Sequence, residues 1–503
     1  MTNVDSAGSA DDAERALVGR RATKGARWTS MANVSIQAIR IGSGVIIADL
    51  LGPAEFGIVG LVTVVTLFVE IVKDLGFSLA VVQAKERPSD GQLSSLFWLN
   101  ILFGAVVFLG LFVLAPVVAG LMNHDEIVGL LRFAGLGFLL SAPAVVHTGL
   151  MRRDLRFEVL ASIRYLQLIG LVAVPVTLAW MGFGAWSIVW GANVAAALSS
   201  IVLSIADPWR PNLKWSPREA VVFLGFGGTV SATRVVNYVT QNGDRILIGA
   251  WLGEIPLGYY NLGFRLVLMP VRLFGVVAVE VLMPAMSRLQ DDVAALGRIY
   301  RRTVGVVAMV SIPAMMFIAG NAESLIDLVF SEEWLPAAPT VTTLAFAGCF
   351  QGIIGVTPPV LMALGRIRML LTAAILLAVV SLTAYGIGAQ FDVESVAVAF
   401  LIALVVMVIP YLALPARLTG VSFRELLGSL APGVALGGLV YFVVRASREL
   451  LVDGSDVVAQ ALVPTALGGV AFLIVAMAWR PPVVADMIEV LPIPGRIRKV
   501  LKR

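Results

Sequence analysis

Charge is scarce in this chain. Only 14% of its 503 residues are Asp, Glu, Lys or Arg, 58% are hydrophobic, and the mean hydropathy is +0.90. So few charges cannot coat a soluble globule of this length, and the composition belongs in a bilayer. Cysteine is nearly absent as well: Cys349 stands alone inside an apolar run, which excludes a disulfide framework and a paired-thiol metal site. Histidine occurs only as His124 and His147, neither beside a companion ligand, so no metal is assigned. The chain contains no H-E-x-x-H, no G-x-x-x-x-G-K-[ST] and no Gly-Lys pair at all. These absences leave no catalytic residues and no cofactor to name, and they exclude ATP as a direct energy source within the chain.

What is abundant is apolar sequence in runs of about 20 residues, the length a helix needs to cross the hydrocarbon of a bilayer. Fourteen such runs begin near Trp28, Phe56, Leu93, Ile127, Val159, Gly184, Ala220, Leu257, Ile299, Ala337, Met369, Ser395, Glu425 and Val458. Short connections join most of them, which predicts an all-α polytopic membrane protein, a compact helical bundle of about 14 transmembrane helices. Residues 1–27 are polar and rich in Ala, Gly and Ser and lack a signal-peptide core, so they read as a disordered tail.

Lys and Arg resist translocation and mark cytoplasmic loops. With the N-terminus inside, 27 Lys and Arg fall in inside segments, among them Arg15, Arg152, Arg302, Arg366 and Arg480, whereas outside loops hold only Arg445 and Arg448. Outside loops instead carry acids, as in "MNHDEI" and "AESLIDLVFSEEW". Both termini are therefore expected in the cytoplasm. The formal net charge of +4 is mostly this topological signal, so nucleic acid is not an expected partner.

The chain also repeats itself. "LLGPAEFGIVGL" at 50–61 and "WLGEIPLGYYNL" at 251–262 share L-G-x-x-x-[FL]-G-x-x-x-L at an offset of 201 residues. Each copy ends the first span of a six-span block and opens the next. An even offset of six spans predicts two parallel halves related by an axis along the membrane normal. A fainter echo, "FAG" at 133–135 and 346–348, falls in the fourth and tenth spans. The expected organisation is a tail at 1–27, an N-lobe at 28–206, a cytoplasmic linker at 207–218, a C-lobe at 219–419, and two further spans with a basic tail at 420–503.

Polar residues recur at steps of three and four on the first span (Ser30, Asn33, Gln37, Arg40) and on the seventh (Ser231, Arg234, Asn237, Gln241, then Asp244 and Arg245). That spacing puts each set on one helical face. Glu70 and Asp74 on the second span, and Arg265, Arg272 and Glu280 on the eighth, extend the pattern. Charge at mid-bilayer costs about 2.5 kcal/mol or more, so these faces cannot meet lipid. Internal pairs, such as Arg40 with Glu70 or Arg272 with Glu280, are one explanation. The surplus of Arg234, Arg245, Arg265 and Arg272 over Asp244 and Glu280 suggests another: a cationic chamber for an anion, because guanidinium forks match phosphate oxygens. Glu70, Asp74 and Glu280 read either as proton or sodium coupling sites or as counter-charges to the arginines.

"KGARWTS", "LLGPAEFG", "DLGFSLAVVQ", "NGDRILIGAWLGEIPLGYYNLGFRLVLMP" and "LMPAMSRLQDD" resemble the corresponding stretches of bacterial polysaccharide repeat-unit flippases of the multidrug/oligosaccharidyl-lipid/polysaccharide exporter superfamily. The resemblance covers about residues 20–420. It implies two six-helix lobes around a central cavity, with alternating access for a polyprenyl-pyrophosphate-linked oligosaccharide destined for O-antigen or exopolysaccharide. The lipid pyrophosphate would then be the anion met by Arg40, Arg234, Arg245, Arg265 and Arg272, with Asn33, Gln37, Asn237 and Gln241 beside them. Asp244 matches the aspartate of "NGDRILIG", while its neighbour Arg245 equally suggests a structural pair. Implied partners are that lipid-linked glycan, membrane lipids, and a polysaccharide polymerase and chain-length proteins, at the bacterial inner membrane. A cation or drug exporter of the same superfamily is an alternative, as is a membrane glycosyltransferase or polymerase, which would need catalytic acids in longer outer loops.

Overall fold

A computed structural model describes residues 5–73, 87–213, 216, 228–267, 292–451 and 457–479, and every regular element among them is helical. Nine of these helices are long and apolar enough to cross a membrane, or ten when a pair bent by 43° at Ala142–Pro143 is counted as one. The chain is thus an all-helical, multi-pass membrane protein.

The difference from fourteen has local causes. The first two expected spans are counted together as α1 (Asp5–Lys73), but they are two helical segments that meet at a break at Gly52, whose φ of 70° is left-handed. The seventh and eighth are described in part, as α8 (Gly228–Trp251) and α9 (residues 254–267). The fourteenth is a helix, Val457–Trp479, with a short apolar stretch at Leu462–Phe472. At the N-terminus α1 begins at Asp5, within the stretch expected as a tail. Ala, Arg and Glu fill that stretch, and strong helix formers outweigh its polarity.

The chain divides into two compact units, Met1–Leu51 with Ile58–Tyr238, and Gly52–Gly57 with Val239–Arg503. This division falls inside α8 rather than at the expected linker. Tyr238 explains it: its hydroxyl donates to the Val64 carbonyl and its ring lies 5.7 Å from Phe68, so the start of α8 belongs with the second span. The expected linker is itself strapped to the first unit. Asp207 accepts from the Trp209 N–H at 3.2 Å and pairs with buried His147 at 3.0 Å, while Trp98 donates to the Asn212 carbonyl at 2.9 Å.

In the first unit, α2 (Asp90–Met122) starts at a capping box: the Ser89 hydroxyl accepts from the Gln92 N–H, and the Gln92 side chain accepts from the Ser89 N–H. Helices α3 (Ile127–Ser141) and α4 (Ala144–Arg153) bend apart at Pro143, as proline in a helical path requires. Next come α5 (Phe157–Leu168), a π-turn at Ile169–Ala173 and α6 (Val174–Trp180), all packed on α7 (Trp186–Ala206). Asn193 of α7 donates to the Phe133 carbonyl at 2.8 Å, so this buried amide is paired inside the bundle.

In the second unit, α10 (Val293–Val329) is the central helix, started by Asp292, which accepts from the Ala295 N–H at 2.9 Å. Around it lie α11 (Ala338–Ile354), α12 (Thr357–Ala363), α13 (Ile367–Gly388), α14 (Val393–Thr419), α15 (Phe423–Leu451) and α16 (Val457–Trp479). The thirteenth span, α15, is built into this unit. Gly433 and Gly437 stand four residues apart, and a Cβ would lie 2.7 Å from the Ala308 backbone at the first and 2.7 Å from Ile312 at the second. Such a small-residue face lets two helices approach closely where lipid gives no hydrophobic drive.

Candidate functional site

The repeated motif has a simple physical meaning. Its first glycine, Gly52 in one copy and Gly253 in the other, ends a helix in the left-handed region, at φ 70° and 96°. Leu252 and Gly253 both donate to the Ile248 carbonyl, at 2.8 and 3.1 Å, closing the helix end on itself. The second glycine lets two backbones cross. A Cβ on Gly57 would lie 1.9 Å from the Glu254 carbonyl oxygen, and a Cβ on Gly258 would lie 2.1 Å from that of Pro53. Pro53 and Glu254 occupy equivalent positions under the 201-residue offset, so the two contacts are one contact seen from either copy. Within the second unit the two turns therefore pack reciprocally, as a local two-fold requires. The "FAG" echo behaves alike within each unit: Gly135 packs on Phe108 and Leu111, and Gly348 on Met315 and Val267.

On α1, Gln37 is half-buried and Arg40 is exposed. Arg40 lies 12 residues before the break at Gly52, about 18 Å along the helix axis. Glu70 is exposed too, and no ion pair joins it to Arg40 among the described residues. That pairing, one explanation for a charge at this depth, is absent. Ser35, on the same stretch, meets the Tyr165 hydroxyl at 2.5 Å. The backbones of Asn33, Arg234 and Asn237 are helical, and their side chains lie outside the described set. Asp74, Arg272 and Glu280 fall outside the described residues altogether.

The charged end of α8 is resolved in detail, and Asp244 and Arg245 do not form a side-chain pair. Asp244 is 1% exposed and accepts from the Arg245 N–H at 2.8 Å and from the Tyr260 hydroxyl at 2.9 Å. The Arg245 guanidinium turns away, donating to Asn242 Oδ1 at 2.7 Å and lying 4.6 Å over the Phe264 ring. Phe264, Phe400 and Tyr385 then stack in sequence at 5.5 and 5.8 Å. Arg245 is thus half-buried and held on two sides, whereas Gln241, one turn earlier, is exposed. Arg265 is exposed and lies 5.4 Å over Phe56, a cation–π contact within the second unit. Tyr260 is not marked by the polar stripe because its partner Asp244 lies on another span, and Asn242, three residues before Arg245, falls between the stripe positions.

Removing the Asp244 carboxylate would strand the buried Tyr260 hydroxyl, whereas the Arg245 N–H keeps its place in the helix. Asp244→Ala is expected to cost about 1 to 3 kcal/mol, since an unpaired buried hydroxyl carries its own desolvation penalty. Thermal unfolding of the purified protein checks this: a clear fall in midpoint is expected, and an unchanged midpoint would mean the cluster is not a structural support.

Comparisons with known proteins agree with this architecture. Residues 46–339 match the model of a family described as "Polysaccharide biosynthesis protein". The chain is 28% identical over 362 residues to the teichuronic acid biosynthesis protein TuaB of Bacillus subtilis (strain 168), covering 69% of this chain and 72% of that one. It is 25% identical over 373 residues to the succinoglycan biosynthesis transport protein ExoT of Rhizobium meliloti (strain 1021), covering 73% and 74%. In fold it is similar to the lipid II flippase MurJ in an inward closed conformation, with a TM-score of 0.74 over 90% of this chain and 98% of that chain at 15% identity.

Proposed function

Because this chain belongs to the polysaccharide biosynthesis protein family, a membrane transporter family and not one of enzymes, we propose that it flips a polyprenyl-pyrophosphate-linked oligosaccharide from the inner to the outer leaflet. The observation that carries the reading is Arg40: an exposed guanidinium about 18 Å into a membrane-spanning helix, without an ion-pair partner among the described residues. A charge so placed is tolerable only where water or an anion meets it. Arg234 occupies the matching face of the seventh span under the same offset that superposes the two glycine turns, so the second half would offer a guanidinium of its own.

In this mechanism two lobes alternate access to a central chamber. The arginines hold the pyrophosphate by charge-assisted forks, Asn33, Gln37, Asn237 and Gln241 meet the sugar, and the lipid tail stays in the bilayer. Arg245 and Arg265, lying over Phe264 and Phe56, would act from the chamber wall. Glu70, Asp74 and Glu280 are the candidates for ion coupling. The cytoplasm holds both termini in this orientation, and the delivered glycan would pass to a polymerase and chain-length proteins. A head group carrying about two negative charges gains on the order of 4 to 5 kcal/mol per 100 mV when it moves outward from a negative interior. The membrane potential alone would therefore bias export.

A liposome flipping assay with a fluorescent polyprenyl-pyrophosphate oligosaccharide tests the reading. Transfer that accelerates under an inside-negative potential is expected. Transport of organic cations by the same preparation, with no transfer of the lipid-linked glycan, would overturn it.

A further inference from the structure

The count of positive residues leaves one exception to the expected orientation, Arg445 and Arg448, and both line a cavity of about 420 Å3 in the second unit. The cavity lies between the end of α10, the turn leading into α11, and the last turns of α15, with Gly320, Glu323, Pro336 and Thr342 in its wall. Arg448 pairs with Glu323 at 2.8 Å, and Arg445 pairs through Nε with Glu449 at 2.9 Å. Glu449 is not part of the wall, so the wall carries two guanidinium groups against one carboxylate. One nitrogen of each guanidinium is engaged in those ion pairs, which leaves further N–H donors on each arginine.

The same helix offers an apolar side chain beside the arginines. Phe442 precedes Arg445 by three residues, on the adjoining face of α15 and one turn deeper along it, and it is 71% exposed. We propose that this cavity binds the phosphate of a lipid head group, with Arg445 and Arg448 on the phosphate oxygens and the acyl or prenyl chain running down past Phe442. Guanidinium forks match phosphate geometry, and a site combining that fork with an exposed aromatic ring one turn below it has the polarity profile of a lipid at a bilayer surface. In the proposed orientation this surface is the outer one. The lipid phosphate comes either from a resident phospholipid or from the delivered pyrophosphate lipid. Only the second source rests on the flippase reading.

The test is thermal unfolding of the purified full chain titrated with dihexanoyl phosphatidylglycerol, and separately with farnesyl pyrophosphate. A ligand that binds only the folded state raises the midpoint in step with its affinity. Phosphatidylglycerol is expected to stabilise the wild type, and Arg445→Gln with Arg448→Gln to need about tenfold more of it, as for loss of a charge-assisted contact. Glu323→Gln frees the Arg448 fork and is expected to lower the concentration required, a gain that misfolding cannot produce. A farnesyl pyrophosphate shift that also depends on the two arginines assigns the site to the transported lipid, and a shift with phosphatidylglycerol alone assigns it to resident phospholipid. Equal titrations for wild type and the double variant would overturn the proposal whether or not the protein proves to be a flippase.

Discussion

Arg40→Ala is expected to lower lipid-linked oligosaccharide transport by about ten- to a hundredfold, as for loss of one or two hydrogen bonds to a charged group, while the protein stays at normal abundance in the membrane. Among the described residues Arg40 is exposed and takes part in no ion pair, with Glu70 or any other acid, so its removal leaves none of their carboxylates buried and unpaired. A transport defect then reports on cargo and not on folding. Arg234→Ala is expected to behave the same way, because it holds the matching face of the seventh span. Lysine at either position keeps the charge but loses the planar fork, so partial activity is expected. Transport assays paired with membrane quantification check the series. Full activity in both alanine variants would remove the cationic chamber from the mechanism.

Gly57→Ala and Gly258→Ala are expected to be the most damaging substitutions to the structure. A single methyl at either position would sit 1.9 or 2.1 Å from a backbone carbonyl oxygen, and backbone cannot swing aside as a side chain can. Each should cost about 3 kcal/mol or more, at the upper end of what overpacking causes. Gly110→Ala is the matched control: it is a helical glycine with open space around its Cβ position, so a neutral effect or a gain of up to about 1 kcal/mol is expected. Thermal unfolding of the three variants in detergent separates them. Similar midpoints for Gly57→Ala and Gly110→Ala would mean that the two turns do not cross as described.

Those glycines also show how much the sequence could reveal. The motif at 50–61 and 251–262 is legible as a repeat because both copies meet the same two demands, a left-handed helix end and a close crossing. Helical class and most span positions are legible for a related reason: apolar length is a local property of the chain. Partners are different. The periodicity that put Asp244 and Arg245 on a polar face cannot say that Tyr260 takes the carboxylate and that Asn242 and Phe264 take the guanidinium. It equally cannot say that Arg445 and Arg448, which disturb the charge count, are paired with Glu449 and Glu323. Nor could composition reveal that residues 207–213 are strapped to the first unit through Asp207 and Asn212. These are contacts between segments far apart in sequence, and they follow from packing.

Movement of a lipid-linked glycan by its anionic head group, as proposed, is tested by the initial leaflet-transfer rate in proteoliposomes, measured with a fluorescent polyprenyl-pyrophosphate oligosaccharide at zero and at inside-negative potential, for wild type and Arg234→Ala. Wild-type transfer is expected to accelerate with potential and to be lost in the variant. Transfer that proceeds equally in the variant and ignores the potential would mean that the head group is not what the protein moves.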